Sequence, residues 1–231
     1  MDQPVLPTAA VSDAVVRLGL ELRLGPAGLR PVIAGSAIAG RALPARHAGS
    51  VDVFLEAIER AGNAAAGRVL VADNRGRTDE ACIGDLVTLE AARAGLAGIV
   101  IWGLNRDSAE IRRIGLPVFS LGQLSAGPRR DDQRPEDALG SAGIGDHTVR
   151  ADDVIYADDD GVIVVPASAM DDIERIGREI FETERAQADL ARSGPTLREQ
   201  FGFDGYLAAR DADPSLTFRQ HLRRRQASIE E

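Results

Sequence analysis

Two acidic segments, separated by one predicted helix and one predicted strand, carry the residue types best suited to chemistry in this chain. Asp85 follows Gly84 at the predicted start of a helix, and Arg106 and Asp107 lie in the loop after the next predicted strand. Ligands usually bind at the carboxyl ends of strands in open α/β sheets. We therefore expect Asp85 and Asp107 to meet at one edge of a sheet.

Each of these positions offers a different means of binding an oxo acid or a metal ion. The backbone N–H groups of Gly84–Val87 are unpaired at a helix start and are suited to a carboxylate. Arg106 provides a bidentate fork for a carboxylate or an enolate. Asp107, with Asp85 and Glu110, offers hard oxygen ligands for Mg²⁺ or Mn²⁺ held largely through water.

The same residues also fit purely structural roles. Asp107 precedes Ser-Ala-Glu, which is typical of a helix N-cap followed by a glutamate at the third helical position. Arg106 fits a surface ion pair, and Asp85 fits the favourable end of a helix dipole. Spacing alone leaves both sets of roles open.

Several common catalytic constellations are missing from the sequence. All 27 basic residues are arginines, so no lysine is available for a Schiff base with a substrate or with pyridoxal phosphate. The three histidines, His47, His147 and His221, have no helical partner, which argues against a zinc site of nitrogen ligands. No nucleophile elbow, Walker loop or dinucleotide-binding glycine pattern occurs. An electrophile for carbon–carbon chemistry is therefore expected from a metal ion.

Composition indicates a globular protein that binds neither nucleic acid nor a membrane. The 231 residues are 44% hydrophobic and carry a net charge of -9, which disfavours binding to phosphate backbones. No apolar run is long enough to span a membrane, and the N-terminus lacks a signal-peptide pattern, so we expect a cytoplasmic location. Cys82 is predicted to be a packed residue at a helix start, and Arg223, Arg224 and Arg225 to belong to a solvated terminal helix.

The hydrophobic pattern predicts an α/β layered domain over residues 1–166 and a helical C-terminal arm over residues 167–231, packed on the body or on a neighbouring subunit. Thr8 is expected to cap the first helix, and Ser50 to open the second. The predicted helices cover residues 9–18, 50–62, 83–94, 108–114 and 168–192, with one more helix in the arm. The predicted strands cover residues 36–43, 68–72, 98–102, 116–120, 153–157 and 161–166.

Two segments between these elements have contrasting predictions. Residues Gly122–Gly145 are rich in Gly, Pro, Arg and Asp, and we expect one long surface loop that is either functional or flexible. The turn Asp158–Gly161 joins two strands and ends in Asp-Gly, a strong hairpin signal. An EF-hand is excluded there because the further ligands of its loop are missing.

A resemblance to a known family rests on these residues. Asp85, twenty intervening residues and then Arg106-Asp107 match the Asp-x20-Arg-Asp motif of the 4-hydroxy-4-methyl-2-oxoglutarate/4-carboxy-4-hydroxy-2-oxoadipate aldolases. Their superfamily also contains the regulator of ribonuclease activity A. Supporting stretches include Gly95-Leu-Ala-Gly-Ile-Val-Ile-Trp-Gly103 and Ala157-Asp-Asp-Asp-Gly-Val-Ile-Val-Val-Pro166, and the similarity extends over residues 8–200.

The resemblance implies a swivelling β/β/α-type fold, homotrimers or homohexamers, and active sites in clefts between subunits. It also implies roles for individual residues of this chain. The substrate carboxylate would be held by Gly84, Asp85, Leu86 and Val87, the 2-oxo acid and its enolate by Arg106, and the metal by Asp107. Glu110, and Glu182 or Glu184 from a neighbouring subunit, would act on the metal through water.

By this resemblance the chain is expected to be a divalent-metal-dependent lyase of 4-hydroxy-2-oxo acids. Retro-aldol cleavage would yield pyruvate, with oxaloacetate decarboxylation as a side activity. The alternative is a non-catalytic regulator that binds a ribonuclease or another protein. Two segments, Ala142-Gly-Ile-Gly-Asp146 and Arg150-Ala-Asp-Asp153, depart from the family pattern and leave the substrate open.

Overall fold

The structure, a computed structural model, describes residues 4–225. Its helices are α1 (Thr8–Arg17), α2 (Asp52–Ala61), α3 (Asp85–Arg93), α4 (Ser108–Ile114), α5 (Met170–Ser193), α6 (Leu197–Gln200), α7 (Phe203–Ala212) and α8 (Phe218–Arg224). Its strands are β1 (Arg23–Leu24), β2 (Arg30–Pro31), β3 (Ile38–Arg46), β4 (Val69–Asp73), β5 (Ala81–Ile83), β6 (Gly98–Trp102), β7 (Leu104–Asn105), β8 (Val118–Ser120), β9 (Ser141–Ile144), β10 (His147–Arg150), β11 (Asp153–Asp158) and β12 (Gly161–Pro166).

Eight strands form the central sheet in the order β1-β12-β11-β3-β4-β6-β8-β2. The four strands β3, β4, β6 and β8 are parallel, and the outer strands run antiparallel to their neighbours. The remaining strands form two separate two-stranded sheets, β9 with β10 and β5 with β7. The predicted α/β layered fold with C-terminal helices is confirmed.

Alternating residues along β4 separate two hydrophobic cores, as a strand with a two-residue period requires. Leu70 and Ala72 face the core shared with α2, α3 and α4. Val69 and Val71 face a second core, which the β9–β10 hairpin closes from the other side of the sheet. Because both faces are covered, the inner strands are continuous apolar runs.

A third core joins the outer antiparallel strands to the long C-terminal helix. Val154, Tyr156 and Ile163 on β11 and β12 pack against α1 and α5. Tyr156 donates a 2.7 Å hydrogen bond to Glu174 Oε1, which satisfies its buried hydroxyl. The first part of the predicted arm therefore packs on the body of its own chain. Within residues 4–225 no helix is both long and apolar enough to cross a membrane.

The N-cap residues of two helices differ from those predicted. Thr8 lies inside α1, and its hydroxyl donates to Asp158 Oδ1 at 2.6 Å instead of capping the helix. Ser50 precedes α2 by one residue more than predicted: Val51 occupies the N-cap position, and Ser50 Oγ accepts a long 3.5 Å hydrogen bond from the Asp52 amide. At α1, the Thr8 backbone N–H and hydroxyl both donate to Asp158 at the end of β11, which replaces the predicted cap.

Three further predictions need correction. Residues 81–83 form β5, and α3 begins at Asp85 rather than at residue 83. Cys82 is therefore packed as predicted but lies in a strand, and burial raises the pKa of its thiol. The predicted loop Gly122–Gly145 contains β9 and leads directly into its hairpin with β10. The arm has three further short helices, α6, α7 and α8, rather than one.

Candidate active site

The start of α3 brings the first predicted segment to the carboxyl edge of the parallel strands. Gly84 is the N-cap residue in an extended conformation, and its carbonyl accepts the Thr88 hydroxyl at 2.8 Å. Asp85 Oδ1 accepts the Leu86 N–H at 2.8 Å, so this amide is already paired. The Leu86 side chain is 73% exposed, whereas Val87 is buried in the core and can offer a ligand only its backbone.

Asp107 has an unusual backbone conformation, and its carboxylate does not cap the helix that it precedes. Its φ and ψ are 55° and 37°, a left-handed conformation that few non-glycine residues adopt. It occupies the N-cap position of α4, but its side chain accepts no capping hydrogen bond. Its carbonyl instead accepts the amides of Glu110 and Ile111 at 2.9 Å and 3.0 Å. The side-chain cap considered from the sequence is therefore not formed.

Arg106 pairs with the residue that follows it rather than with a distant surface acid. Its Nε lies 3.3 Å from Asp107 Oδ2, and the two side chains are 48% and 40% exposed. Its amide donates to the Ile83 carbonyl at 2.9 Å, which ties the loop after β7 to β5. The Arg106 guanidinium and the Asp107 carboxylate therefore lie together at the surface and are partly exposed to solvent.

Gly84 supplies the space that these two side chains occupy. A Cβ at Gly84 would collide with Asp107 Oδ2 and would lie 3.1 Å from Arg106 Cγ and 3.2 Å from Arg106 Nε. On the far side, a Cβ at Gly127 would come within 2.9 Å of Arg106 Nη1. Two glycines therefore flank Arg106. The sequence pattern indicated Gly84 only through its amide, and it did not indicate Gly127.

Buried polar groups hold the loop that carries Arg106. Asn105 is fully buried, donates from Nδ2 to Ser108 Oγ at 2.9 Å and accepts from Ser120 Oγ at 2.7 Å. The backbone N–H of Asn105 donates to the Gly122 carbonyl at 3.0 Å. Asn105 thus joins β7, α4 and the end of β8. The only sequence signal for this role was a polar residue immediately before Arg106-Asp107.

A second buried network anchors the segment that contains Gly127. Arg130 donates from Nε to Glu80 Oε1 at 2.9 Å and from Nη2 to Asn74 Oδ1 at 2.8 Å. Its Nη2 also lies 3.0 Å from His47 Nδ1, and the His47 ring stacks on Phe54. Burial, followed by smaller effects that include the positive charge of Arg130, holds the pKa of His47 below its ordinary value. No sequence pattern predicted this network.

The remaining predicted ligands do not gather around Asp107 within one chain. Glu110 pairs with Arg113, and Glu182 and Glu184 lie on α5, which packs with α1 on a different core. In the part of the chain that the structure describes, no group of three or more His, Cys, Asp or Glu side chains could hold a metal ion. A single carboxylate fits Mg²⁺, which usually keeps several waters and takes one or two protein carboxylates.

The fold and this site define an α/β protein with paired Arg and Asp side chains at the carboxyl edge of its parallel strands. A family model described as RraA-like, Aldolase/RraA, matches residues 8–164. The chain belongs to this family.

Similar proteins include one named DlpA and several named as putative aldolases. The chain is 31% identical over 199 residues to Protein DlpA of Legionella pneumophila, covering 83% of this chain and 31% of that protein. It is 36% identical over 118 residues to a Pseudomonas fluorescens protein named "Putative 4-hydroxy-4-methyl-2-oxoglutarate aldolase", covering 47% of this chain and 66% of that protein. The match thus spans under a third of DlpA and about two thirds of the other relative.

The crystal structure of Streptomyces coelicolor RraAS2 superposes with a TM-score of 0.65 at 25% sequence identity. The superposition covers 81% of this chain and 92% of that one. RraAS2 is described as an unusual member of the RNase ES inhibitor RraA protein family.

Proposed function

We propose that this protein is a divalent-metal-dependent lyase that cleaves a 4-hydroxy-2-oxo acid by a retro-aldol reaction and releases pyruvate. The observation that carries the proposal is the Arg106–Asp107 pair, which is half exposed, has no capping role and fits against Gly84. The aldolase name of the Pseudomonas relative supports the same reaction class. The lack of lysine removes a Schiff-base route.

The reaction requires positive charge where the 2-oxo acid becomes an enolate. The bond between C3 and C4 breaks, its electron pair passes into the C2–C3 unit, and the C4 hydroxyl becomes a carbonyl as it loses its proton. Arg106 would bind the 2-oxo acid and stabilise the negative charge that develops on the C2 oxygen. Asp85, the second carboxylate at this edge, would hold the water that accepts the hydroxyl proton. Protonation at C3 then gives pyruvate.

The amides at the start of α3 would orient the substrate. The N–H groups at the start of a helix, here from Gly84 to Val87, favour a carboxylate. The Leu86 amide now donates to Asp85, so a bound carboxylate would have to displace this contact or use the neighbouring amides. Decarboxylation of oxaloacetate yields the same enolate, and we expect it as a side activity.

Asp107 would hold Mg²⁺ or Mn²⁺ mainly through a hydrated shell, and the bound ion would supply Lewis-acid stabilisation of the developing charge. Glu110 would contribute through water. Glu182 or Glu184 would do so from a neighbouring subunit, because neither glutamate joins Asp107 within its own chain. The proposal therefore includes a homotrimer or homohexamer with the site between subunits.

The test is an assay of the purified protein with Mg²⁺ or Mn²⁺ against oxaloacetate and 4-hydroxy-4-methyl-2-oxoglutarate. Replacing Arg106 with Ala should lower kcat about 100-fold or more, because a charge-stabilising donor is lost. The matched control is Arg112→Ala, an exposed arginine on α4, which should keep full activity. Unchanged activity in Arg106→Ala would contradict the site assignment.

A second candidate function is a non-catalytic regulator that binds a ribonuclease or another protein. The structural likeness to RraAS2, with its description as a member of a ribonuclease inhibitor family, favours this alternative. It predicts a pure protein that turns over no 2-oxo acid with any divalent metal and forms a stoichiometric complex with a ribonuclease. Metal-dependent turnover that Arg106→Ala abolishes would instead support the lyase.

A further inference from the structure

Two arginines line a cavity at the amino edge of the parallel strands, the opposite edge from Asp107. Arg41 lies in the first half of β3, and Arg68 immediately precedes β4. The cavity has a volume of about 470 Å³. Its other walls are the small residues Ala64, Ala66, Gly67 and Ala151, so no large side chain fills the space beside the two guanidinium groups.

The donors of these arginines are largely unused. Arg68 donates from Nη2 to the Ala42 carbonyl at 2.7 Å and to the Ala151 carbonyl at 3.4 Å. Its Nε is buried and has no hydrogen-bond partner. Among residues 4–225, no acidic side chain forms an ion pair with Arg41 or Arg68, and none lines the cavity. By contrast, Arg23 and Arg46 on the same sheet pair with Asp153 and Asp137.

The like charges of the two arginines make the cavity electrostatically unfavourable as it stands. Burial lowers the pKa of Arg68 from its ordinary value, and the nearby positive charge of Arg41 lowers it further. An anion between the two groups would turn this repulsion into two attractions. The backbone carbonyls already hold Arg68 in place, so less conformational entropy would be lost when the anion binds.

We propose that Arg41 and Arg68 form a binding site for a phosphate group. Phosphate carries about -1.5 to -2 charges at neutral pH and several acceptor oxygens, which matches two guanidinium forks. A single carboxylate would neutralise only one of them. The cavity is within the range of small-molecule sites, which extends from about 300 to 1,000 Å³, so a phosphate monoester with a small organic body fits. The net charge of -9 disfavours a nucleic-acid backbone.

Titration calorimetry on the full chain tests this site with three probes: inorganic phosphate, glycerol 3-phosphate and acetate. Both phosphates should bind, and Arg41→Gln should weaken them about tenfold or more because a charge-assisted hydrogen-bond partner is lost. Arg68→Gln should do the same, but Arg68 also holds two backbone carbonyls. Arg41 is exposed and makes no such contacts, so its variant tests the site without a threat to folding.

Two control variants separate this site from other positive charge. Arg192→Gln removes an exposed arginine of α5, and Arg106→Gln removes the arginine of the candidate active site. Both should leave at least one phosphate-binding event of wild-type affinity. Tighter binding of glycerol 3-phosphate would identify a monoester as the natural occupant, and equal binding would identify free phosphate. No binding, equal binding of acetate, or binding lost only in Arg106→Gln would overturn the proposal.

Discussion

At the scale of single residues, substitutions of Asp107 can separate loss of the carboxylate from loss of stability, because its backbone is left-handed. Asparagine tolerates the left-handed region almost as well as aspartate, whereas a β-branched residue does not. Asp107→Asn should therefore keep the free energy of unfolding within about 0.5 kcal/mol of wild type while removing the carboxylate. Activation by added Mg²⁺ or Mn²⁺ should disappear in the oxaloacetate assay.

The contrasting variant at this position is Asp107→Val. It removes the same carboxylate but must place a branched side chain at φ 55°. We expect it to lower the free energy of unfolding by about 1–3 kcal/mol, measured by urea denaturation. Equal stability losses in the Asn and Val variants would show that the carboxylate, rather than the backbone, stabilises this turn.

Gly84 offers a test of site geometry without any change of charge. In Gly84→Ala the new Cβ collides with Asp107 Oδ2, so the Arg106–Asp107 pair must move. We expect kcat/KM to fall about 100-fold, since displacements of about 1 Å commonly have that effect. The matched control is Gly205→Ala on α7, where a Cβ meets nothing within 4 Å. Full activity in Gly84→Ala would mean that catalysis does not depend on the present position of the Arg106–Asp107 pair.

The sequence predicted this site in part. The spacing of Asp85 from Arg106-Asp107 placed both segments at one sheet edge, and Gly84 does lie against Arg106 and Asp107. The contribution of Gly127 could not be predicted, because it depends on a loop whose path no local pattern specifies. The roles of Arg106 and Asp107 in binding substrate and metal remain predictions.

At the scale of elements, Arg130 fixes the long segment that follows β8. Arg130→Gln would leave Glu80, which is 4% exposed, with the more distant Arg77 Nε at 3.6 Å and His47 Nδ1 at 3.8 Å. Breaking a buried ion pair on one side costs about 3–5 kcal/mol, so urea denaturation should show a loss near the lower end of that range. Arg129→Gln, which changes an exposed neighbour, should be neutral. A neutral Arg130→Gln would show that the segment is held by other contacts.

The same network predicts how stability depends on pH. Because the pKa of His47 is lowered in the folded protein, the unfolded chain binds a proton first as the pH falls through about 6.5. The contribution of His47 to stability is therefore complete above that pH and is lost progressively below it. His47→Gln should flatten the decline in the free energy of unfolding between about pH 7 and pH 5, measured by urea titrations. An equally steep decline in the variant would exclude His47 as its source.

Elements with a clear apolar pattern and a stop signal were predictable from the sequence, and elements without these signals were not. The pattern gave Gly98–Trp102 and Ser108–Ile114 correctly, because each has a full apolar run or turn and a clear glycine stop. It missed β5 because its three apolar residues continue into the pattern of α3. It missed β9 because Ser-Ala-Gly-Ile has little strand character and is stabilised by pairing with β10 and packing under the sheet.

At the scale of the whole molecule, the last helices form a small aromatic cluster beyond the segment that the family model matches. Phe201, Phe203, Tyr206, Phe218 and His221 pack mainly on one another. A chain ending at Ser193 should therefore stay folded and keep its activity, measured by circular dichroism and the oxaloacetate assay. A chain ending at Pro166 loses α5 and uncovers the third core, so it should aggregate. If the chain ending at Ser193 unfolds, α6–α8 are needed to stabilise the α/β domain.

The left-handed turn at Asp107 also bears on how members of this fold diverge. Because Asn and Gly satisfy the same backbone, mutation at this position can remove the carboxylate that we propose as the metal ligand without disturbing the fold. Structural superposition would then score a working enzyme and a pseudoenzyme alike. The residue type at this turn would therefore distinguish catalytic proteins from binding proteins better than structural superposition does.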